Sequence, residues 1–150
     1  MFLGSYEHNI DTKGRVNFPS RFREVLSGQS DGRIVLTTNI DDFGTCIVVY
    51  PYAEWVVFQE KIASLPQFDP AVVRLKRLHI AGATECSFDK QGRIMVSSMH
   101  RDYAALSGTI VFAGLGNAIE IWNKDAWAKE RESAKKDAGP INETLAQLGI

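Results

Sequence analysis

Two groups of residues stand out by type and spacing. Asp11, Lys13, Gly14 and Arg15 form one, and Asp89, Gln91, Gly92 and Arg93 form the other. In each copy the glycine follows the aspartate by three positions and the arginine follows it by four, and a β-branched residue (Val16 or Ile94) comes next. These are residue types for recognising anions and base edges. A guanidinium offers a planar fork to phosphate oxygens or to a guanine edge, and an ammonium offers a mobile point charge. A second reading stays open at this stage, in which Arg15 and Arg93 pair with Asp11 and Asp89 and only staple a turn. Arg21, Arg23 and Arg101 follow the two copies as secondary contact candidates, with Arg23 and Arg101 read first as members of structural ion pairs.

The surroundings say how such groups would be held. Alternating residues lead into each copy (Tyr6, His8, Ile10; Cys86, Phe88) and out of it (Val16, Phe18; Ile94, Val96), the period of a half-buried strand. Gly14 and Gly92 stand where a tight reversal needs positive φ, and the aspartates can accept hydrogen bonds from turn amides. The expected objects are β-hairpins over 5–18 and 84–96, with cationic tips carried to the same end of one scaffold.

Each hairpin is followed by the same succession of elements. Pro19 opens a short helix with Phe22, Val25 and Leu26; Ser97 or Ser98 caps its counterpart, which runs to about Leu106. Strands are expected at 33–38, 46–50, 109–113 and 118–122. Long helices follow from Pro51, with Trp55, Phe58, Ile62 and Leu65 on one face, and from Asn123, with Trp127. Asp69-Pro70 signals another helix, with Ala71, Leu75 and Leu78 as its apolar stripe and Arg74, Lys76, Arg77 and His79 as a basic face. Asp137-Ala138-Gly139-Pro140 breaks the last long helix. The chain thus divides into a first repeat over 1–66, a linking helix over 67–83, a second repeat over 84–136 and a tail over 137–150. Neither half covers its own strands, so interlocking them into one small mixed barrel is the expected solution.

Composition excludes several classes. The chain has 150 residues, a formal net charge of −1 and no apolar run long enough for a membrane span. Its start lacks the basic segment and apolar core of a secretory signal, so the cytoplasm is the expected location. Cys46 and Cys86 read as buried free thiols. Enzyme chemistry finds no support: His8, His79 and His100 are scattered, Asp41-Asp42 reads as turn chemistry, and Gly114-Leu115-Gly116 lacks the third glycine of a dinucleotide fingerprint. No catalytic group, metal site, cofactor, membrane or small-molecule substrate is expected.

Asp11-x-Lys13-Gly14-Arg15-Val16-x-Phe18-Pro19-x-x-Phe22-Arg23 and Asp89-x-x-Gly92-Arg93-Ile94 resemble the paired Asp-x-x-x-Arg signatures of the MraZ family of bacterial transcriptional regulators. The opening Met1-Phe2-x-Gly4-x-Tyr6-Glu7-His8 and the late Gly116-Asn117-x-x-Glu120-Ile121-Trp122 are similar to it as well, so the likeness runs over roughly residues 1–132. The resemblance implies an α+β fold, an AbrB-like swapped-hairpin β-barrel built from two intrachain repeats. It implies binding of double-stranded DNA at promoter direct repeats by a ring-shaped homo-oligomer. The implied role is repression of a division and cell-wall gene cluster and of the protein's own promoter, at the nucleoid. The family's basic hairpin residues map onto Lys13, Arg15 and Arg93, with Gly14, Gln91 and Gly92 on the same tips. The chain departs from the family pattern at Gln91, which stands in the place of Lys13, at Ser97 and Ser98, which replace prolines, and at His100, which replaces an apolar residue. A protein-interaction scaffold or antitoxin-like module, with DNA contact secondary, is the alternative.

Overall fold

A computed structural model describes residues 1–150, the side chain of Ser30 excepted. The first half runs β1 (Ser5–Ile10), β2 (Arg15–Asn17), α1 (Ser20–Ser27), β3 (Ile34–Thr38), β4 (Ile47–Pro51) and α2 (Tyr52–Ala63). Next come α3 (Pro70–Leu75) and a π-helical turn (Lys76–Ile80). The second half runs β5 (Thr84–Cys86), β6 (Arg93–Met95), α4 (Ser98–Ala104), β7 (Gly108–Gly114), β8 (Ile119–Asn123) and α5 (Lys124–Lys136), and α6 (Ala138–Gln147) ends the chain.

Local chemistry explains the helix starts. Asp69 accepts from the Ala71 amide at 2.8 Å, Ser97 from His100 at 3.2 Å, and Asn123 from Asp125 and Ala126 at 2.9 and 3.1 Å. Pro19 and Pro51 sit one residue ahead of the helices they were expected to open, as caps without a side-chain bond. The break at Asp137 is real, but the tail beyond it is helical. Pro140 lies in the first turn of α6, where a missing N–H costs nothing.

β3 pairs with β4 and β7 with β8 as hairpins, but the expected hairpins over 5–18 and 84–96 do not pair within themselves, and this corrects the local expectation. β1 pairs antiparallel with β7, β5 pairs with β3, and β2 pairs with β6, so each repeat's first two strands hydrogen-bond to the other repeat. The result is a six-stranded antiparallel sheet, ordered β1-β7-β8-β4-β3-β5, and a separate β2–β6 ribbon. Every pairing is antiparallel, and β1 and β5 remain at opposite edges of the sheet; the strands form no closed, mixed barrel. An approximate two-fold relation, with β4 beside β8 at its centre, exchanges the two halves.

Period-two alternation then sorts the side chains. Ile34, Leu36, Ile47, Val49, Ile110, Phe112, Ile119 and Ile121 face the main core with Val16 and Ile94 of the ribbon and Phe18, Phe22 and Leu26 behind it. Aromatic rings there meet edge to face, Phe18 contacting Phe22, Phe88 and Phe112. On the opposite sheet face Cys46, Val48, Val111 and Trp122 pack with Trp127 of α5. Cys46 is fully buried, whereas Cys86 is only half-buried.

The expected stripe of the helix after Asp69 fails from its first turn. Ala71 is exposed and Val72 is buried, and His79, seven residues beyond Val72, is buried while Leu78 is exposed. His79 leaves the basic face and packs against Tyr50, Trp55 and Phe58. On α2, Trp55 and Ile62 are buried, but Leu65 lies past the helix end and is exposed.

Candidate nucleic-acid interface

Each Asp-x-x-Gly-Arg turn is held by a single carboxylate. Asp11 Oδ1 accepts from the Lys13 and Arg15 amides, each at 2.9 Å, and its Oδ2 accepts Arg15 Nε at 2.8 Å. Asp89 repeats this with Gln91 and Arg93 at the same three distances. The aspartate therefore both sets the turn and orients the arginine. Accepting the Arg15 amide is the leading reason that the Asp11 carboxyl is held down at about 2, and the same bond from Arg93 lowers Asp89. Pairing through Nε uses one edge of the guanidinium and leaves the Nη edge outward. The Arg15 and Arg93 side chains keep 40% and 34% of their surface accessible. Arg93 Nη2 also makes a long 3.5 Å contact with Gln91 Oε1. The stapling contacts of the second reading are therefore present, and both guanidiniums still keep part of their surface accessible.

The turns do not lie at one end of the scaffold. β2 and β6 are antiparallel and each is preceded by its own turn, so the two turns flank opposite ends of the ribbon. Val96 donates to Gly14 O at 2.8 Å, and Phe18 donates to Gly92 O at 3.1 Å, fixing each turn against the far end of the other repeat's strand. The arginines nevertheless share a face. Val16 and Ile94 point inward at 1% exposure, and their neighbours Arg15, Asn17, Arg93 and Met95 point out. In the register Arg15 opposes Met95 and Asn17 opposes Arg93. The arginines are therefore diagonal neighbours, about 7–8 Å apart at Cα.

Among the described residues Arg23 and Arg101 form no ion pair, which corrects the expectation. Arg23 Nε donates to Phe18 O at 3.2 Å, and its guanidinium lies against Gly92 in the other repeat. Arg101 Nε donates to Val96 O at 3.2 Å, its Nη1 to Thr12 O at 3.1 Å, and it lies against Gly14. Each short helix thereby braces the opposite turn. Arg23 also adds to burial in lowering the pKa of His8, burial being the larger cause. Arg21 is exposed on α1, beside Met1, Leu3 and Tyr6, and does not join the ribbon face.

Lys13, Lys90 and Gln91 are exposed on the turns, and Gly14 and Gly92 are buried at φ +91° and +76°. Lys90 was missed in reading the sequence. Its signal was a one-position shift, since the second turn carries lysine in place of Thr12 and glutamine in place of Lys13. Of the three histidines, His8 is half-buried and His79 and His100 are fully buried. His79 Nδ1 lies 2.8 Å from Thr38 O and His100 Nε2 lies 2.7 Å from Gly82 O. A carbonyl only accepts, so those nitrogens carry the protons. The second nitrogen of each ring has no partner among the described residues. Also among the described residues, no cluster of three His, Cys, Asp or Glu could hold a metal, and no helix is long and apolar enough to cross a membrane.

Residues 1–78 and 79–146 each match a family described as MraZ protein, with antitoxin-like as a provisional qualifier. The two matched segments meet inside the π-turn. Three proteins named transcriptional regulator MraZ are similar over essentially their whole length. The one from Thioalkalivibrio sulfidiphilus is 41% identical over 148 residues, covering 99% of this chain and 97% of that protein. Those from Halothermothrix orenii and Desulfitobacterium hafniense are 39% and 40% identical over 150 residues, covering 100% of each chain.

Proposed function

Because the chain belongs to the MraZ family, we propose that it is a transcriptional regulator that binds double-stranded DNA through the outer face of the β2–β6 ribbon. The observation that carries this reading is the pair of carboxylate-held arginines, Arg15 and Arg93, set diagonally on one exposed face. Holding Nε in place removes much of the entropy an arginine loses on binding, and the remaining Nη edge suits phosphate or guanine O6 and N7. Lys13 and Lys90 add cationic groups at the two ends of the ribbon.

The finer parts of the reading follow from the same geometry and the family. The site acts as a repressor at direct repeats upstream of the protein's own gene and a division and cell-wall gene cluster, in the cytoplasm at the nucleoid. The exchange of first strands between repeats supports an AbrB-like kinship. It also supports treating 1–66 and 84–136 as repeats of one intertwined unit, with 67–83 as linker and 137–150 as tail. One chain offers only a few cationic contacts, each worth about −0.9 in the slope of log affinity against log salt. Tight binding at cellular salt then requires several subunits engaging several repeats, as in a ring, through effective concentration.

The test is footprinting on DNA upstream of the protein's own gene, with a mobility-shift titration of Arg15→Ala and Arg93→Ala. Protection at regularly spaced repeats, and a loss of about 1–3 kcal/mol for each variant, is expected. Unchanged titration curves with both variants folded would reject the assignment. A second reading, an antitoxin-like protein-binding module, is favoured by α6. This helix has no buried residue and exposes Ile141 and Leu145, and Leu148 just past its end is exposed too. Nuclease-treated pull-downs that retain a partner protein, together with no footprint, would favour it.

A further inference from the structure

We propose that Asn17 and Met95 are specificity-determining residues of the ribbon, Asn17 reading an adenine edge and Met95 a thymine methyl group, so that the two repeats of one chain read different bases. This inference rests on the proposed DNA-binding function. It is argued from what the register places between the two arginines.

The outer face of the ribbon has four positions, and the arginines occupy only two of them. Asn17 stands directly across from Arg93, and Met95 directly across from Arg15. Directly opposed residues lie about 4.5–5.5 Å apart, so all four side chains reach one small patch. The diagonal between the arginines is about 7–8 Å, close to two base steps at about 3.4 Å each. A two-stranded antiparallel ribbon is also of a size that the major groove admits.

The opposite placement of the two turns suits this arrangement. A ribbon lying in the groove has its ends toward the two phosphate backbones and its middle toward the base edges. Lys13 and Lys90 at the ends would then meet phosphate. Arg15, Asn17, Arg93 and Met95 in the middle would meet bases.

Neither Asn17 nor Met95 has an evident structural task for its side chain. Asn17 is exposed, and among the described residues its side-chain amide has no hydrogen-bond partner. Met95 leaves 58% of its surface in water, although Ile94 and Val96 beside it are fully packed. Asn17 and Met95 are also equivalent positions in the two repeats, the second residue after each Gly-Arg. The motif repeats Asp, Gly and Arg and differs here. A carboxamide can donate to adenine N7 and accept from adenine N6, whereas a thioether chain can only pack against the thymine methyl. The asymmetry therefore predicts that the bases contacted within one bound unit are not palindromic.

Sequence selection from a randomised duplex pool tests this with the full-length protein, its Asn17→Met and Met95→Asn variants, and the double exchange. The folded state of each is checked by urea unfolding. The parent should show an adenine preference at one position of the bound unit, of about 5- to 150-fold. Asn17→Met should erase that preference, and Met95→Asn should create a second one. Each preference is read as a ratio between duplexes bound by the same folded variant. Replacing thymine by deoxyuridine at the Met95 position should weaken the parent about 4-fold, the worth of one buried methyl group, and leave Met95→Asn unaffected. Identical base preferences in parent and folded variants would overturn the inference while leaving the DNA-binding function intact. A parent that selects no sequence at all would overturn both.

Discussion

The two turns carry the same motif on different supports. A side chain added at Gly14 would strike the Val96 carbonyl, a peptide fixed in the ribbon, and would also come within 2.9 Å of Arg101 Nε. The atoms nearest to one added at Gly92 all belong to the guanidinium of Arg23. At these points the first turn meets a peptide and the second meets a side chain, which can yield more. The difference teaches that a repeated motif does not guarantee repeated tolerance, because each copy is packed against non-identical parts of the other half. The surroundings differ too. The short link from α4 to β7 leaves a depression beside the first turn, lined by Ile10, Asp11, Arg101 and Leu106.

The sharpest way to break this comparison is to add the methyl group. Gly14→Ala should cost about 2–4 kcal/mol in urea unfolding, from the left-handed backbone strain and an unyielding collision. Gly92→Ala should cost about 1–2 kcal/mol, the strain alone. Equal losses would mean that Arg23 is held as rigidly as a peptide.

The long helices offer a second contrast, since α2 packs on the buried His79 ring and α5 has no buried residue of its own. Burial lowers the His79 pKa from 6.5, opposed by its bond to Thr38 O. The unfolded chain then takes up a proton that the folded site resists. Stability should fall as pH drops below 6.5, at no more than about 1.4 kcal/mol per pH unit from this residue. Thermal melts at pH 5.5 and 7.5 should show this dependence weakened in His79→Gln. An unaltered dependence would place its source elsewhere.

The turns themselves should be indifferent to pH in the same range. The depressed Asp11 carboxyl contributes stability that is present above its ordinary 3.8 and is lost only as pH falls through about 2. Carboxyl NMR titration should return a midpoint near 2, and a midpoint near 3.8 would show that the Asp11–Arg15 clasp is open in solution. The smallest effect concerns charge. Lys13→Gln, which makes the first turn resemble the second, should reduce the salt slope of DNA binding by about 0.9, and Gln91→Lys should raise it by the same amount. Unequal changes would show that the ends of the ribbon approach the phosphates differently.

Much of this was legible in the chain itself, where the signal was local. The duplication, the caps at Asp69, Ser97 and Asn123, and the alternation around Val16 and Ile94 depend on neighbours within a few residues, and each is seen in the fold. The buried face of the helix after Asp69 was not legible, because Ala71, Leu75 and Leu78 offer one apolar row at helical spacing and Val72 and His79 another, and only packing against Trp55 and Phe58 selects the second. The roles of Arg23 and Arg101 were equally hidden. Their acceptors are carbonyls, which every residue has, so no residue type advertised them.

By itself, then, the order of residues determined that two aspartate-pinned turns of the same geometry would exist, each presenting an arginine, because that geometry closes within five residues. Only the tertiary structure decided where the turns point. Strand partners are chosen by which apolar faces can be covered, and the first two strands of each half here pair with strands of the other. That exchange puts the turns at opposite ends of the ribbon and the two arginines on one face.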